Sequence, residues 1–363
     1  MAIDFSTCVA TQKALETAEE LLAAQPRVGL GFYPTPLHRL DRLSGELGVE
    51  LYLKRDDLSG VSTFGGNKIR KLEYLLGDAR ARGADTVITY GATQSNHAMQ
   101  TVAAACRCGL RPVLFLVSVV EPDAASLRAN LLLDHIYGAE VHIVRPEPGE
   151  DEDAAEARSF ALGDAYADEL RAKGAHPYVV PMGGASEVGS VGFAGGYVEL
   201  VRQCLEMGIA PQHLYHATGT GGTLAGLAAG RALLGGGPRV TSIAVSPKDA
   251  GYEARTAALA NGALAVLGAP AGVSVSPEDL DVDRGYYAPG YEVPNAVGND
   301  AIRRLARTEG VMVDPVYSGK AFGGLLDHIA TGRVPQGSTV VFWHTGGATA
   351  LFSEPQIVGD LMA

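Results

Sequence analysis

The chain predicts an α/β protein with two open, twisted, mainly parallel sheets and helices on both faces. Three observations carry this. From residue 50 onward, β-branched runs alternate with helical patterns across short loops, as parallel strands joined by crossover helices do. The alternation breaks at residues 145–157 and then resumes, so two sheets are expected rather than one. Of 363 residues, 47% are hydrophobic and 19% charged, which allows a sizeable core and argues against disorder.

Each element has a local reason. In "KIRKLEYLLGDARARG" (68–83), Ile69, Leu72, Leu75, Leu76 and Ala79 share one helical face, and Gly83 stops the helix. "DTVITY" (85–90) reads as a strand, and "SNHAMQTVAAACRCG" (95–109) as a helix opened by a Ser/Asn cap. "RPVLFLVSV" (111–119) is a buried strand, "AASLRANLLLDHIYG" (124–138) a helix and "AEVHIV" (139–144) a strand. "RPEPGEDEDAAEA" (145–157) reads as a surface loop feeding a helix that ends near Lys173, its carboxylates solvated and favoured by the helix dipole. After "PYVVPMGGAS" (177–186) come a helix around "GYVELVRQCLEMG" (196–208), the strand "HLYHAT" (213–218), a glycine loop and a helix. The strand "VTSIAVS" (240–246), helices in "NDAIRRLARTEG" (299–310) and "YSGKAFGGLLDHI" (317–329), and the strand in "STVVFWHTGG" (338–347) complete the pass. No internal repeat or low-complexity tract interrupts it.

Charge narrows the partners. With 29 Lys+Arg against 41 Asp+Glu, the net charge is 29 − 41 = −12, which disfavours nucleic acid or an anionic membrane. The longest apolar run, "VLFLVSVV" (113–120), is too short to span a bilayer, and no leader opens the chain. The four cysteines, Cys8, Cys106, Cys108 and Cys204, are too scattered for a disulfide framework, and the Cys106/Cys108 spacing is not that of a zinc site. These features describe a metal-free protein of the cytoplasm that acts on something small.

Five constellations carry the chemistry. "TGTGGTLAGL" (218–227) joins a strand to a helix, so its amides serve either a plain turn or an anion cradle. Lys68 sits at a helix start, where the macrodipole disfavours a cation. Burial and neighbouring charge would lower its pKa and free its amine for a Schiff base. The plainer reading is that Lys68, Arg70 and Lys71 are all solvated. Ser95, Asn96 and His97 follow a parallel strand, where open α/β sheets bind ligands, although capping alone explains a Ser or Asn there. "DPVYSGK" (314–320) and, upstream, "APGYEVPN" (288–295) offer Tyr317 and Tyr291, for which core packing is the bland alternative. "WHTGGATALF" (343–352) ends a strand in a Thr-Gly-Gly turn.

In this order, "GGNKIRKLEYL", "QSNH", "GTGGTLAGL", "DPVYSGK" and "HTGG" resemble the pyridoxal-phosphate enzymes of the aminocyclopropanecarboxylate deaminase and D-cysteine desulfhydrase group. These have the tryptophan-synthase-β-like fold, fold type II. The resemblance covers residues 33–352. It implies that Lys68 joins pyridoxal phosphate covalently and then moves the substrate Cα proton. Asn96 would bind the ring 3′-oxygen, with Asn67 alongside the cofactor. Thr218, Gly219, Thr220, Gly221, Gly222 and Thr223 would cradle the phosphate, and Thr345 and Ser318 would lie by the ring nitrogen. Ser95, Asn96, His97, Tyr291 and Tyr317 would face the substrate, Ser95 and both tyrosines taking part in catalysis. The pair Gly65–Gly66 would clear space for the ring. Residues 1–70 and 180–363 would form a large cofactor-binding domain, residues 71–179 a small inserted one, and the protein a homodimer.

Within the group, ring-opening members carry a glutamate where this chain has Ser318, so the site resembles the desulfhydrase branch, as does His97. Ala185-Ser186 and the longer "STFGG" (62–66) depart from that branch and leave the substrate pocket open. The implied activity is α,β-elimination on a small β-substituted amino acid, first D-cysteine to pyruvate, ammonia and hydrogen sulfide. L-cysteate and aminocyclopropanecarboxylate are the alternatives. An NAD(P)-dependent oxidoreductase would want an acidic residue about twenty positions past the glycine loop, and "GGGPRVTSIAVS" (235–246) has none. A non-catalytic ligand-binding regulator would have no need of Lys68.

Overall fold

The computed structural model describes residues 8–60, 64–118, 127–291, 293 and 295–353. Two sheets organise them. The larger has six strands in the order β1 (Leu37–Arg39), β2 (Glu50–Arg55), β10 (Thr339–His344), β7 (His213–Thr218), β8 (Arg239–Ala244) and β9 (Asp281–Asp283). Only β1 and β2 pair antiparallel. The smaller is fully parallel, in the order β5 (Glu140–Val144), β4 (Arg111–Val117), β3 (Thr86–Ala92), β6 (Pro177–Val180).

The central strands are buried along almost their whole length, β7 and β10 at five of six positions and β3 at six of seven. Helices on both faces impose this. On one face of the large sheet, α10 (Ala296–Glu309) and α11 (Ser318–Ala330) enclose Leu51, Leu53, Phe322, Leu325 and Phe342. On the other, α1 (Cys8–Ala23), α7 (Glu187–Met207) and α8 (Gly222–Leu233) enclose Leu15, Phe193, Tyr197, Leu227 and Trp343. Fully burying one such side chain contributes about 1.5–3 kcal/mol.

Helix α3 (Lys68–Ala81) buries the expected face, and Gly83 follows it with φ +70°. Helix α4 (Asn96–Cys108) starts at the expected cap, where Ser95 Oγ accepts the Ala98 N–H at 3.2 Å. The helix expected over 124–138 is α5 (Ala129–Ile136); residues 124–126 lie outside the described residues, and Leu127 and Arg128 are not helical. Residues 62–63 of "STFGG" and Val119–Val120 of the apolar run also lie outside them.

The largest departure is α7, which begins at Glu187 instead of near Gly196. Glycines 189, 192 and 195 lie ahead of the helix the sequence predicts. In the structure they are contact points: a Cβ on Gly192 would sit 2.1 Å from the Arg70 carbonyl oxygen of α3. Packing overrides the low helix propensity of glycine. Sequence periodicity also fails to single out β1, β2, β6, β9, α1, α2 (Asp41–Leu47) or α9 (Tyr252–Leu267).

Candidate active site

The carboxyl ends of the parallel strands converge on a cavity of about 610 Å³, as expected for open α/β sheets. The turn after β3 brings Ser95, Asn96 and His97; that after β7 brings Thr218, Gly219, Thr220, Gly221 and Thr223; that after β10 brings Thr345, Gly346 and Gly347. Asn67 and Lys68 enter from the start of α3, and Tyr291 and Tyr317 complete the wall. The structure therefore gathers residues separated by more than half the chain.

Lys68 presents its amine to this cavity without a hydrogen-bond partner among the described residues. Burial lowers its pKa to about 8, so about a tenth of it is the free amine at pH 7, far more than for an ordinary lysine. Burial alone accounts for this; no neighbouring charge is needed.

The glycine loop has the form of an anion cradle. Gly221 caps α8 in the left-handed region, φ +90°, and supplies no side chain to the first amides. Among the described residues the N–H groups of residues 219–223 find no acceptor. Asn67 Nδ2 donates to Thr223 Oγ1 at 3.1 Å, and the Asn67 N–H to the Thr345 carbonyl at 3.0 Å, tying the lysine turn to two walls of the cavity.

Lys71 is the main residue that sequence reasoning missed. Arg70 and Lys71 are not solvated: they are 4% and 1% exposed. Arg70 has carboxylate partners, but among the described residues Lys71 Nζ has only the Gly183 carbonyl, at 3.0 Å. Burial and then Lys68 push its pKa well down. Its Nζ would lie 3.0 Å from a Cβ on Gly222, so a buried lysine with no carboxylate partner among the described residues stands behind the glycine loop. The helical spacing of Lys68 and Lys71 was the available signal, since i and i+3 share a face.

His97 is also buried. The Thr89 hydroxyl donates to the Val180 carbonyl at 2.8 Å, which leaves its oxygen to accept from His97 Nε2 at 2.8 Å. Burial, then Lys68 and Lys71, hold His97 neutral by pushing its pKa well down. Tyr291 and Tyr317 share a hydrogen bond between their hydroxyls, with ring centroids 5.8 Å apart and edge-on.

Several expectations meet a different geometry. Gly65 and Gly66 do not line the cavity, so they clear no space for a ring. A Cβ on Gly65 would strike Asp57 O at 2.7 Å, and one on Gly66 the Gln100 side-chain amide at 2.6 Å; the pair seats the turn against the neighbouring backbone and the Gln100 side chain. Gly222 and Ser318 also lie off the cavity wall. Ser318 Oγ donates to Asp314 Oδ1 and accepts the Asp314 N–H at 2.9 Å, so its one proton is already used. Ala185 and Ser186 do not line the cavity either; Met182 and Gly183 do. The acidic run is more than a solvated helix start, because Glu152, Asp153 and Glu156 of α6 (Glu152–Ala172) face the cavity. Burial, then Asp153, raises the pKa of Glu152 and Glu156. Lys248 and Asp249 join the wall after β8.

Comparison with known proteins agrees with this arrangement. Residues 28–346 match the family described as pyridoxal-phosphate dependent enzyme. D-cysteine desulfhydrases of Salmonella paratyphi C and Salmonella typhi are each 39% identical over 331 residues, covering 90% of this chain and 96% of theirs. A crystal structure described as an ACC deaminase homologue superposes with TM-score 0.83 at 37% identity, covering 94% of this chain and 98% of that one. An O-ureido-L-serine synthase, at 18% identity and TM-score 0.61, shares the fold. Free amides beside a buried lysine, Lys71, that has no carboxylate partner among the described residues, and an available Lys68 amine, fit the phosphate and aldehyde of that cofactor. The chain belongs to the pyridoxal-phosphate-dependent enzymes of fold type II, and pyridoxal phosphate is its cofactor.

Proposed function

We propose that the cavity is the active site of a carbon–sulfur lyase that performs α,β-elimination on a small amino acid, D-cysteine first: D-cysteine and water give pyruvate, ammonia and hydrogen sulfide. The observation that carries this is the Lys68 amine, whose pKa burial lowers to about 8, beside the acceptor-free amides of residues 219–223. The desulfhydrase relatives supply the substrate class. Bound there, pyridoxal phosphate supplies an electron sink for the substrate Cα. Lys68 holds the cofactor and afterwards takes the Cα proton at Nζ. The loop amides, Thr223 and Lys71 would hold the phosphate, Asn96 would donate to the ring oxygen, and Thr345 would serve the ring nitrogen. Ser95 and His97 orient the substrate. The hydrogen-bonded Tyr291–Tyr317 pair places a phenolic proton within the cavity for the departing sulfur.

The acid side of the wall favours cysteine over its sulfonate analogue. Glu152, Asp153 and Glu156 would repel the fixed negative charge of L-cysteate. Ring opening of aminocyclopropanecarboxylate is supported by the likeness to the ACC deaminase homologue, yet where ring-opening members carry a glutamate this chain has Ser318, committed to Asp314 and off the cavity wall. Keto-acid formation from D-cysteine, L-cysteate and aminocyclopropanecarboxylate ranks the three. Pyruvate with stoichiometric sulfide from D-cysteine, lost in Lys68→Ala, is the expected result; turnover of L-cysteate alone would overturn the choice. The same reading treats residues 71–179 as an inserted domain, consistent with β3, β4, β5 and β6 sharing one sheet. It also expects a homodimer in the cytoplasm: Cys106, Cys108 and Cys204 are free thiols, and no helix among the described residues is long and apolar enough to cross a membrane. Sedimentation should give twice the chain mass.

A further inference from the structure

The two ends of a carboxamide have the same shape, so only its hydrogen-bond partners tell oxygen from nitrogen. For Asn96 the partners start at a backbone carbonyl, which can only accept. The Gln94 carbonyl takes Asn130 Nδ2 at 2.8 Å, so the NH2 end of Asn130 faces the β3–α4 turn. That same group donates to Asn96 Oδ1 at 2.9 Å, and the Thr349 hydroxyl donates to the same oxygen at 3.0 Å. With its oxygen claimed twice, Asn96 keeps its NH2 free of any acceptor among the described residues, and Asn96 lines the cavity.

The arrangement carries a visible cost. Asn130 is 1% exposed and its own Oδ1 has no partner among the described residues. Asp134, one turn further along α5, is equally buried with neither oxygen partnered. Orphaned buried acceptors in a native protein ask for an explanation. The Asn130 N–H also donates to Gln94 Oε1 at 3.1 Å, so the start of α5 is clamped to the turn at both its backbone and its side chain.

We propose that Asn130, with Thr349, is a positioning residue: it locks the Asn96 carboxamide with its NH2 toward the cavity, as a donor to the anionic ring oxygen of pyridoxal phosphate. This rests on the reading that Asn96 meets that oxygen. A donor there favours the anion, whereas a carbonyl oxygen would repel it.

The test uses the holoenzyme and the visible absorption of its bound cofactor across neutral and mildly alkaline pH. Asn130→Asp keeps the shape and replaces donors by acceptors, so Asn96 turns its NH2 to the new carboxylate and its oxygen to the cofactor. The pH midpoint of the visible band should rise by about one unit, and the apoprotein should bind pyridoxal phosphate about tenfold more weakly. Thr349→Val should move both the same way by less, and it decides the matter if Asn130→Asp does not fold. Asn96→Asp is the reference. If it moves the band while neither Asn130→Asp nor Thr349→Val does, the positioning role is overturned and the assignment of Asn96 stands. If Asn96→Asp leaves the band unmoved, the assignment of Asn96 fails first. A lower melting temperature with an unmoved band marks Asn130 as structural only and overturns the proposal.

Discussion

Lys68 is the residue on which the chemistry turns, and its environment sets a measurable property. Burial lowers its pKa from 10.5 to about 8, because a charged amine loses hydration that the cavity does not replace. Capture of pyridoxal phosphate by the apoprotein, followed by borohydride trapping on Lys68, should therefore rise with pH through a midpoint near 8. A midpoint near 10.5, the ordinary lysine value, would contradict the burial argument. The linkage has a definite sign. The folded apoprotein binds this proton less tightly than the unfolded chain, so the cost is full below about 8 and fades as pH rises toward 10.5. Lys71 lies deeper and is shifted further in the same direction; a phosphate dianion is the partner that would restore its charge.

At the scale of elements, the position of the glycine loop depends on how closely α8 approaches α7. Gly226 sits where a Cβ would strike the Ser190 carbonyl oxygen at 2.3 Å and Phe193 Cβ at 2.4 Å. One turn on, a Cβ on Gly230 would meet Tyr197 Cβ at 2.7 Å. Glycine is tolerated inside this helix because its absent side chain lets the two axes close. Gly226→Val should lower stability by about 2–3 kcal/mol through overpacking, read as a shift of the denaturant midpoint. The loop amides would also move away from α3, so cofactor affinity should fall together with stability. A variant with wild-type stability would show that the helices can separate without cost.

Across the whole molecule, the site depends on an ion network that joins the large sheet to the two helices beneath the cavity. Lys54 of β2 is fully buried and donates to Glu199 of α7. Arg70 of α3 donates to Asp56 at 2.7 and 2.8 Å and to Glu199 at 2.9 and 3.0 Å. Two cations and two carboxylates balance, and Arg70 lies two residues from Lys68. Burial alone would raise the Glu199 pKa, but Arg70 and Lys54 hold it down to about 2. Its stabilisation is therefore present above 4.5, the ordinary glutamate value, and is lost as pH falls toward 2. Glu199→Gln leaves two buried cations facing one carboxylate and should cost about 3 kcal/mol at neutral pH. Urea unfolding should show that difference shrinking as pH falls toward 2; a difference independent of pH would remove Glu199 from the network.

Much of this protein is legible in one dimension. Strand β7 falls where "HLYHAT" places it, and the cap at Ser95 and the stop at Gly83 are read directly from residue type. Such features depend on neighbours in sequence, so local pattern suffices. The order of five short motifs likewise identified the family and its cofactor before any coordinate was known. Contacts between distant segments were not legible. Gly189 and Gly192 stand ahead of the helix expected from Gly196 until the Gly184 carbonyl and the Arg70 carbonyl of α3 are set against them. Lys71 reads as one more surface charge until Gly222, 222 − 71 = 151 residues on, at the end of "HLYHATGTGG", folds over it, and the acidic run at 151–156 reads as solvent-facing until α6 meets the cavity. The amino-acid sequence by itself determined which local structures form and which reactive groups exist. Only the tertiary structure decided which charges are buried, which amides lack acceptors and which way Asn96 faces, because hydration is lost through packing and packing joins residues that are far apart along the chain.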